Sequence, residues 1–102
     1  MYLVQILLPL YDNAGHEFQP REYVELRSEL ADRFGGVTAY TRAPARGVWK
    51  GDSGETTRDD IVIFEVMTEE LDRPWWTTFR KQLERRFRQE SVIVRALTST
   101  LL

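Results

Sequence analysis

A lysine and a serine stand among glycines in the stretch GVWKGDSG, residues 47–54, ahead of the apolar run from Ile61 to Met67. These residue types occur in loops that cradle phosphate with backbone amides and a lysine. Such a loop needs G-x-x-x-x-G-K-[ST], set between a strand and the helix whose N-terminus receives the anion. Here Lys50 precedes Gly51, and Asp52 places a negative charge beside the supposed anion site. The segment after the loop has the pattern of a strand, not a helix. The stretch is therefore read as a hairpin turn, whose chemistry glycine, aspartate and serine supply.

His16 is the only histidine, and the chain has no cysteine. Paired histidine ligands, thiolate catalysis, disulfides and cysteine-ligated zinc are excluded. Asp12 and His16, in the polar stretch YDNAGHEFQP with Glu17 beside them, are candidates for a binding loop. No metal is expected there, because loop carboxylates are common. No Ser-His-Asp arrangement can be assembled from the sequence.

Three further polar residues stand out by their surroundings. Gln5, Glu65 and Arg95 each interrupt an otherwise apolar alternate set on a strand-like segment. Their chemistry depends on how the elements align them.

Tyr2 to Leu10 is β-rich and apolar on both faces, which predicts a strand covered on both sides. It has no basic residue before the apolar run and no small-residue cleavage site after it, so a buried strand is expected rather than a signal peptide. It is also shorter than the ~20 residues that a membrane span needs. Pro20 suits a first helical turn. Tyr23, Leu26, Leu30 and Phe34 recur at helical spacing, and Gly35 and Gly36 stop the helix. Val37 to Tyr40 reads as an irregular edge strand, interrupted by Pro44 and Gly47 and able to resume through Val48 and Trp49. Asp60 to Met67 is the clearest strand. Thr68 or Asp72 caps a second helix, with Pro74 in its first turn. Its stripe is Trp75, Phe79, Leu83 and Phe87, and its other face carries Arg80, Lys81, Arg85, Arg86 and Arg88. Val92 to Leu97 is the last strand. At the junction RRFRQESVIV no glycine or proline assists the reversal, so Gln89 or Glu90 is expected to hold it with a side-chain hydrogen bond.

The order β-α-β-β-α-β predicts an α+β ferredoxin-like plait, residues 1–102 as one domain: a four-stranded antiparallel sheet with two helices on one face. Strand parity then sorts the side chains. Val4, Ile6, Leu8, Val62, Phe64, Val66, Val92, Val94 and Ala96 belong under the helices. Leu3, Gln5, Leu7, Ile61, Ile63, Glu65, Met67, Ile93, Arg95 and Leu97 form the open face. That face would be an apolar patch of on the order of several hundred Å2, more than a soluble monomer ordinarily exposes. A homodimer joined through it is expected. With the first strand between the third and fourth, Gln5 lies between Glu65 and Arg95. Two readings stay open: a polar network that sets dimer register, or the floor of a ligand pocket between two sheets. Tyr40 and Trp49 join these three as pocket candidates. Trp76 and Trp49 are placed at an interface or pocket mouth, and Trp75 in the core.

The 102 residues are 42% hydrophobic and 12% aromatic, enough for a globular core. Net charge is −2, so no global positive field draws nucleic acid or acidic lipid. RNA-recognition plaits display aromatics on their first and third strands; the corresponding face here is aliphatic. Neither nucleic acid nor membrane is expected as a partner. A cysteine-free chain fits the cytoplasm.

GVWKGDSG…TRDDIVIFEV followed by LERRFRQESVIVRA resembles a family of small uncharacterised bacterial proteins with a W-[RK]-G turn before the third strand and an R-F-x-Q-E-S-V junction before the fourth. More broadly the chain is similar to the dimeric α+β barrel superfamily, in which two open faces meet and enclose a pocket. That resemblance implies a homodimer and carries no catalytic residues across. Superfamily members include cofactor-independent monooxygenases, haem-handling proteins, isomerases and non-catalytic subunits. Haem proteins there often use a histidine on the second helix or nearby; the second helix here has none, so no cofactor is expected. The foremost function is a non-enzymatic homodimeric domain binding a small molecule or a partner protein. An alternative is a small monooxygenase or isomerase using Arg95, Glu65, Tyr40 or Trp49. A third is regulatory amino-acid binding, because DNAG at Asp12 to Gly15 is similar to the D-x-x-G turn of ACT domains, although the helix here starts later.

Overall fold

A computed structural model of the chain describes residues 1–42 and 61–102. The hairpin turn expected at GVWKGDSG, any resumption of the second strand through Val48 and Trp49, and Asp60 lie outside the described residues.

The elements are β1 (Tyr2–Pro9), α1 (Pro20–Phe34), β2 (Thr38–Arg42), β3 (Ile61–Thr68), α2 (Arg73–Arg86) and β4 (Ile93–Thr98). They form one antiparallel sheet in the order β2-β3-β1-β4, with both helices on one side. This is the ferredoxin-like plait that the element order predicts. β1 and β3 are the central strands, and both carry mainly apolar residues in both parities.

Local chemistry starts and stops the helices. Pro20 occupies the first turn of α1, and Glu22 Oε2 accepts a hydrogen bond from the Gln19 amide at 3.1 Å. Gly35 ends the helix at φ 78°, a left-handed conformation that glycine adopts without a Cβ penalty, and its N–H reaches Ala31 O at 2.8 Å. Asp72, one of the two expected caps, begins α2 by accepting from the Trp75 amide at 3.1 Å.

The core joins Val4, Ile6, Leu8, Val62, Phe64 and Val66 of the sheet to Leu26 and Leu30 of α1 and Trp76, Phe79 and Leu83 of α2. The covered parity is as expected, except that Ala96 is exposed near the end of β4. Of the two tryptophans of α2, Trp76 departs from the expected interface or pocket-mouth position, and Trp75 packs against the core without being fully buried. Trp76 is buried in the core, and Trp75 is only half-buried, stacked on Phe79 at 4.8 Å with the Arg33 guanidinium 4.0 Å above its ring. Phe18, in the loop before α1, is also a core residue, edge-on to Phe87 at 5.3 Å.

The α2–β4 reversal uses a left-handed residue after all. It is Arg88, at φ 52°. Gln89 donates from Nε2 to Phe87 O at 3.0 Å, the side-chain bond expected at this junction. The first strand amides find a more distant partner: Glu84 Oε2 accepts from Val92 N at 3.0 Å while pairing with Arg80 at 3.0 Å. Val92 is buried, so this amide cannot turn to water instead.

Glu84→Ala should therefore destabilise the fold by about 1–3 kcal/mol, the cost of an unmet buried amide. Glu84→Gln, which keeps an acceptor, should recover most of the loss. Glu90→Ala, at an exposed position, should change stability by less than about 0.5 kcal/mol. Urea unfolding of the three variants measures this directly.

Candidate functional site on the open sheet face

The register of the four strands arranges the uncovered face in rows. Thr38, Glu65, Gln5 and Arg95 form one row from β2 to β4. Beside it lie Tyr40, Ile63, Leu7 and Ile93 on one side, and Met67, Leu3 and Leu97 on the other. A single polar line thus crosses an apolar face, with the central Gln5 between Glu65 and Arg95.

The line is bonded. Arg95 Nε donates to Gln5 Oε1 at 2.7 Å, and Gln5 Nε2 donates to Glu65 Oε2 at 3.3 Å. Only this orientation of the amide satisfies both neighbours. Turned over, it would set its NH2 against a guanidinium and its oxygen against a carboxylate. The chain cation–amide–anion is therefore polarised along the row. Gln5 and Glu65 are half-buried and Arg95 is exposed.

The apolar rows are unevenly covered. Met67, Ile93 and Leu97 are 38%, 55% and 46% exposed. Ile63 is not open to water, although its parity places it on this face: it is 3% exposed, with Leu7 and Tyr40 as its cross-strand neighbours. Tyr40 borders both this face and a cleft of about 280 Å3 at the sheet edge, lined in part by Leu10, Tyr23, Arg27, Tyr40 and Phe64. Tyr23 donates to Pro9 O at 2.7 Å in that cleft. Its phenol is held well above the usual range, first by burial and then by the charges of Glu22 and Glu17.

The structure brings together four of the five expected pocket residues: Gln5, Glu65, Arg95 and Tyr40. Trp49 lies outside the described residues. Asp12 and His16 form a separate cluster in the β1–α1 loop, a different place from the polar row. Asp12 Oδ1 accepts from the amides of Ala14 and His16, each at 2.9 Å, and Oδ2 lies 3.7 Å from His16 Nδ1. One carboxylate oxygen is thus committed to folding the loop. Two arginines of α2 pair with acids, Arg80 with Glu84 at 3.0 Å and Arg86 with Glu29 at 2.7 Å, and Arg88 just after the helix lies 3.9 Å from Glu22. Among the described residues no group of three metal-ligating side chains occurs, and no helix is long and apolar enough to cross a membrane.

No protein family and no curated protein matches the chain. A solved structure of similar shape is a phage SAM lyase in complex with S-methyl-5'-thioadenosine. It superposes with a TM-score of 0.62 over 94% of this chain and 79% of that one, at 21% identity. The likeness is one of fold.

The amide hydrogen bond from His16 is the largest influence on the Asp12 carboxyl; with the Ala14 amide and the charges of His16 and Arg88 it holds the group below its ordinary range, against an opposing effect of desolvation. A depressed carboxyl stabilises its loop above the unfolded value, and that contribution disappears as pH falls through the folded value. Protection of the Ala14 and His16 amides against exchange, relative to their intrinsic rates, should therefore be present at neutral pH and fall together at both positions below the ordinary aspartate range. Asp12→Ala should remove that protection at neutral pH and make little difference at low pH.

Proposed function

We propose that the chain works as a homodimeric binding domain, joined through the open face of its sheet. The observation that carries this reading is the set Met67, Ile93 and Leu97, exposed around a hydrogen-bonded polar line on the side of the sheet that has no helix. A second copy removes this apolar area from water at roughly 25 cal/mol per Å2. The line Glu65–Gln5–Arg95 then lies inside, where it sets the register of the two sheets and offers paired donors and acceptors to a small molecule or a partner segment between them. The absence of cysteine from the sequence supports a cytoplasmic location for this dimer. Nucleic acid and membrane are no part of the reading, in keeping with the aliphatic rows of the face and a net charge of −2.

A second reading, a small enzyme using the space between the sheets, is favoured by the phage SAM lyase, a plait of this shape with S-methyl-5'-thioadenosine bound. Thermal denaturation separates the two. A rise in melting temperature with millimolar S-methyl-5'-thioadenosine that disappears in Glu65→Gln supports a nucleoside site on this face.

Light scattering at micromolar concentration should give about twice the 12.0 kDa chain mass. Ile93→Asp is the informative variant, because Ile93 stands in water in the single chain, whereas a carboxylate at the buried Ile63 would damage the fold itself. Ile93→Asp should run as a monomer with an unchanged far-UV spectrum. A wild-type chain that stays monomeric to about 100 μM overturns the reading.

A further inference from the structure

We propose that the two copies meet about a two-fold axis that runs along β1, so that Glu65 of each copy faces Arg95 of the other. The inference rests on the homodimer reading above and adds what that reading leaves open, the geometry of the pair.

Two sheets joined face to face by a two-fold axis must have that axis in the plane between them. Taken through Gln5, it has two simple orientations. Along the polar row, each strand covers itself: Glu65 faces Glu65, and Arg95 faces Arg95. Along β1, the row is reversed on itself. Glu65 then faces Arg95, and Gln5 faces Gln5. Ile63 lies over Ile93, and Met67 over Leu97. Both orientations set apolar rows on apolar rows; the second leaves edge strand β2 with no strand opposite, so apolar contact does not select it. The charges do. The first stacks like on like in a space shut off from water, and the second pairs opposite charges twice. An oblique axis is worse than either, because it crosses the polar row over leucine and isoleucine and leaves both charges buried without partners.

The remaining hydrogen-bonding capacity fits the second orientation. Among the described residues Arg95 engages Gln5 through Nε, and Glu65 through Oε2. The terminal guanidinium nitrogens and Oε1 are the groups turned to the second copy. Each Gln5 keeps one N–H and one lone pair, which is what two amides need to bond each other across an axis. Under this axis β3 lies over β4 and β1 over β1, so three strands overlap, over about 27 Å at about 3.4 Å per residue and about 14 Å at about 4.8 Å per strand. That flat footprint, about 400 Å2, is about half of the ~800 Å2 that each partner gives to a standard interface, which places the pair among the weaker dimers.

Sedimentation equilibrium of the full chain tests the geometry with Glu65→Gln, Glu65→Arg, Arg95→Glu and the double exchange Glu65→Arg with Arg95→Glu. Each reversal alone sets like charges together across the axis and should raise the dimer dissociation constant by about tenfold or more. Neutral Glu65→Gln should raise it by less. The double exchange restores both pairs, with the Gln5 amide turned over, and should return to within about threefold of wild type. If Glu65→Gln instead tightens the dimer, the axis runs along the row and the proposal is wrong. It is equally wrong if the wild type dimerises and no variant shifts the constant. A monomeric wild type removes the homodimer reading itself, a result distinct from both. Circular dichroism of each variant establishes that the chain compared is folded.

Discussion

A sheet has two faces, and this chain has helices for one of them. The rest of the architecture answers that shortage. The central strands β1 and β3 carry apolar residues in both parities, so neither face can be given to water without cost. One face is closed by Leu26 and Leu30 of α1 and by Trp76, Phe79 and Leu83 of α2. The other keeps Met67, Ile93 and Leu97 in solvent. The aromatic residues gather on the covered side: Phe18, Tyr23, Phe64 and Phe87 pack with one another, as do Phe34, Trp75, Trp76 and Phe79. Among the described residues the open side carries aliphatic side chains on either side of the polar row, with Tyr40 as an aromatic residue at its edge. Large rings suit a core filled once on folding, and smaller aliphatic chains would suit the proposed closure of this face against a second copy.

Much of this was legible in the sequence, because it depends on period-two alternation and on the order of six elements. Parity alone separated Val4, Ile6 and Leu8 from Leu3, Gln5 and Leu7, and strand order alone put Gln5 between Glu65 and Arg95. The failures come from geometry that parity does not carry. In α2 a ladder of strict four-residue steps from Trp75 gains about 40° per step on a helix of 3.6 residues per turn. Starting at Trp76 and alternating three- and four-residue steps keeps one face, so Trp76, Phe79 and Leu83 are the buried set. Ile63 has open-face parity yet is buried, because parity names a direction and not what stands in it.

The α2–β4 junction was half legible. A reversal without glycine or proline has to be held by side chains, and Gln89 does hold it. The partner of Val92, however, is Glu84, eight residues earlier and on the helix. Its position four residues after Arg80 makes it look like an ordinary surface acid. Nothing in local spacing distinguishes a solvated glutamate from one that closes the start of a strand. The same holds for Phe18, whose loop setting hid a core residue that packs on Phe87.

The polar line bears on specificity more than on strength. An all-aliphatic face joined to its copy would tolerate slippage, since leucine and isoleucine pack acceptably at neighbouring positions. Shifting one sheet by two residues along the strands would leave the parity of the face unchanged. It would, however, carry Glu65 and Arg95 from the polar row of the other copy onto its apolar rows, stripping two charges of partners in an apolar layer. In the proposed dimer a single polarised row would thus be a penalty on every register but one. Gln5 makes the penalty steep. By bonding Arg95 on one side and Glu65 on the other, it holds both long side chains near the sheet, so neither can swing out to water to escape a wrong alignment. A neutral residue at the centre of the row is therefore what lets two charges at its ends act as a register mark.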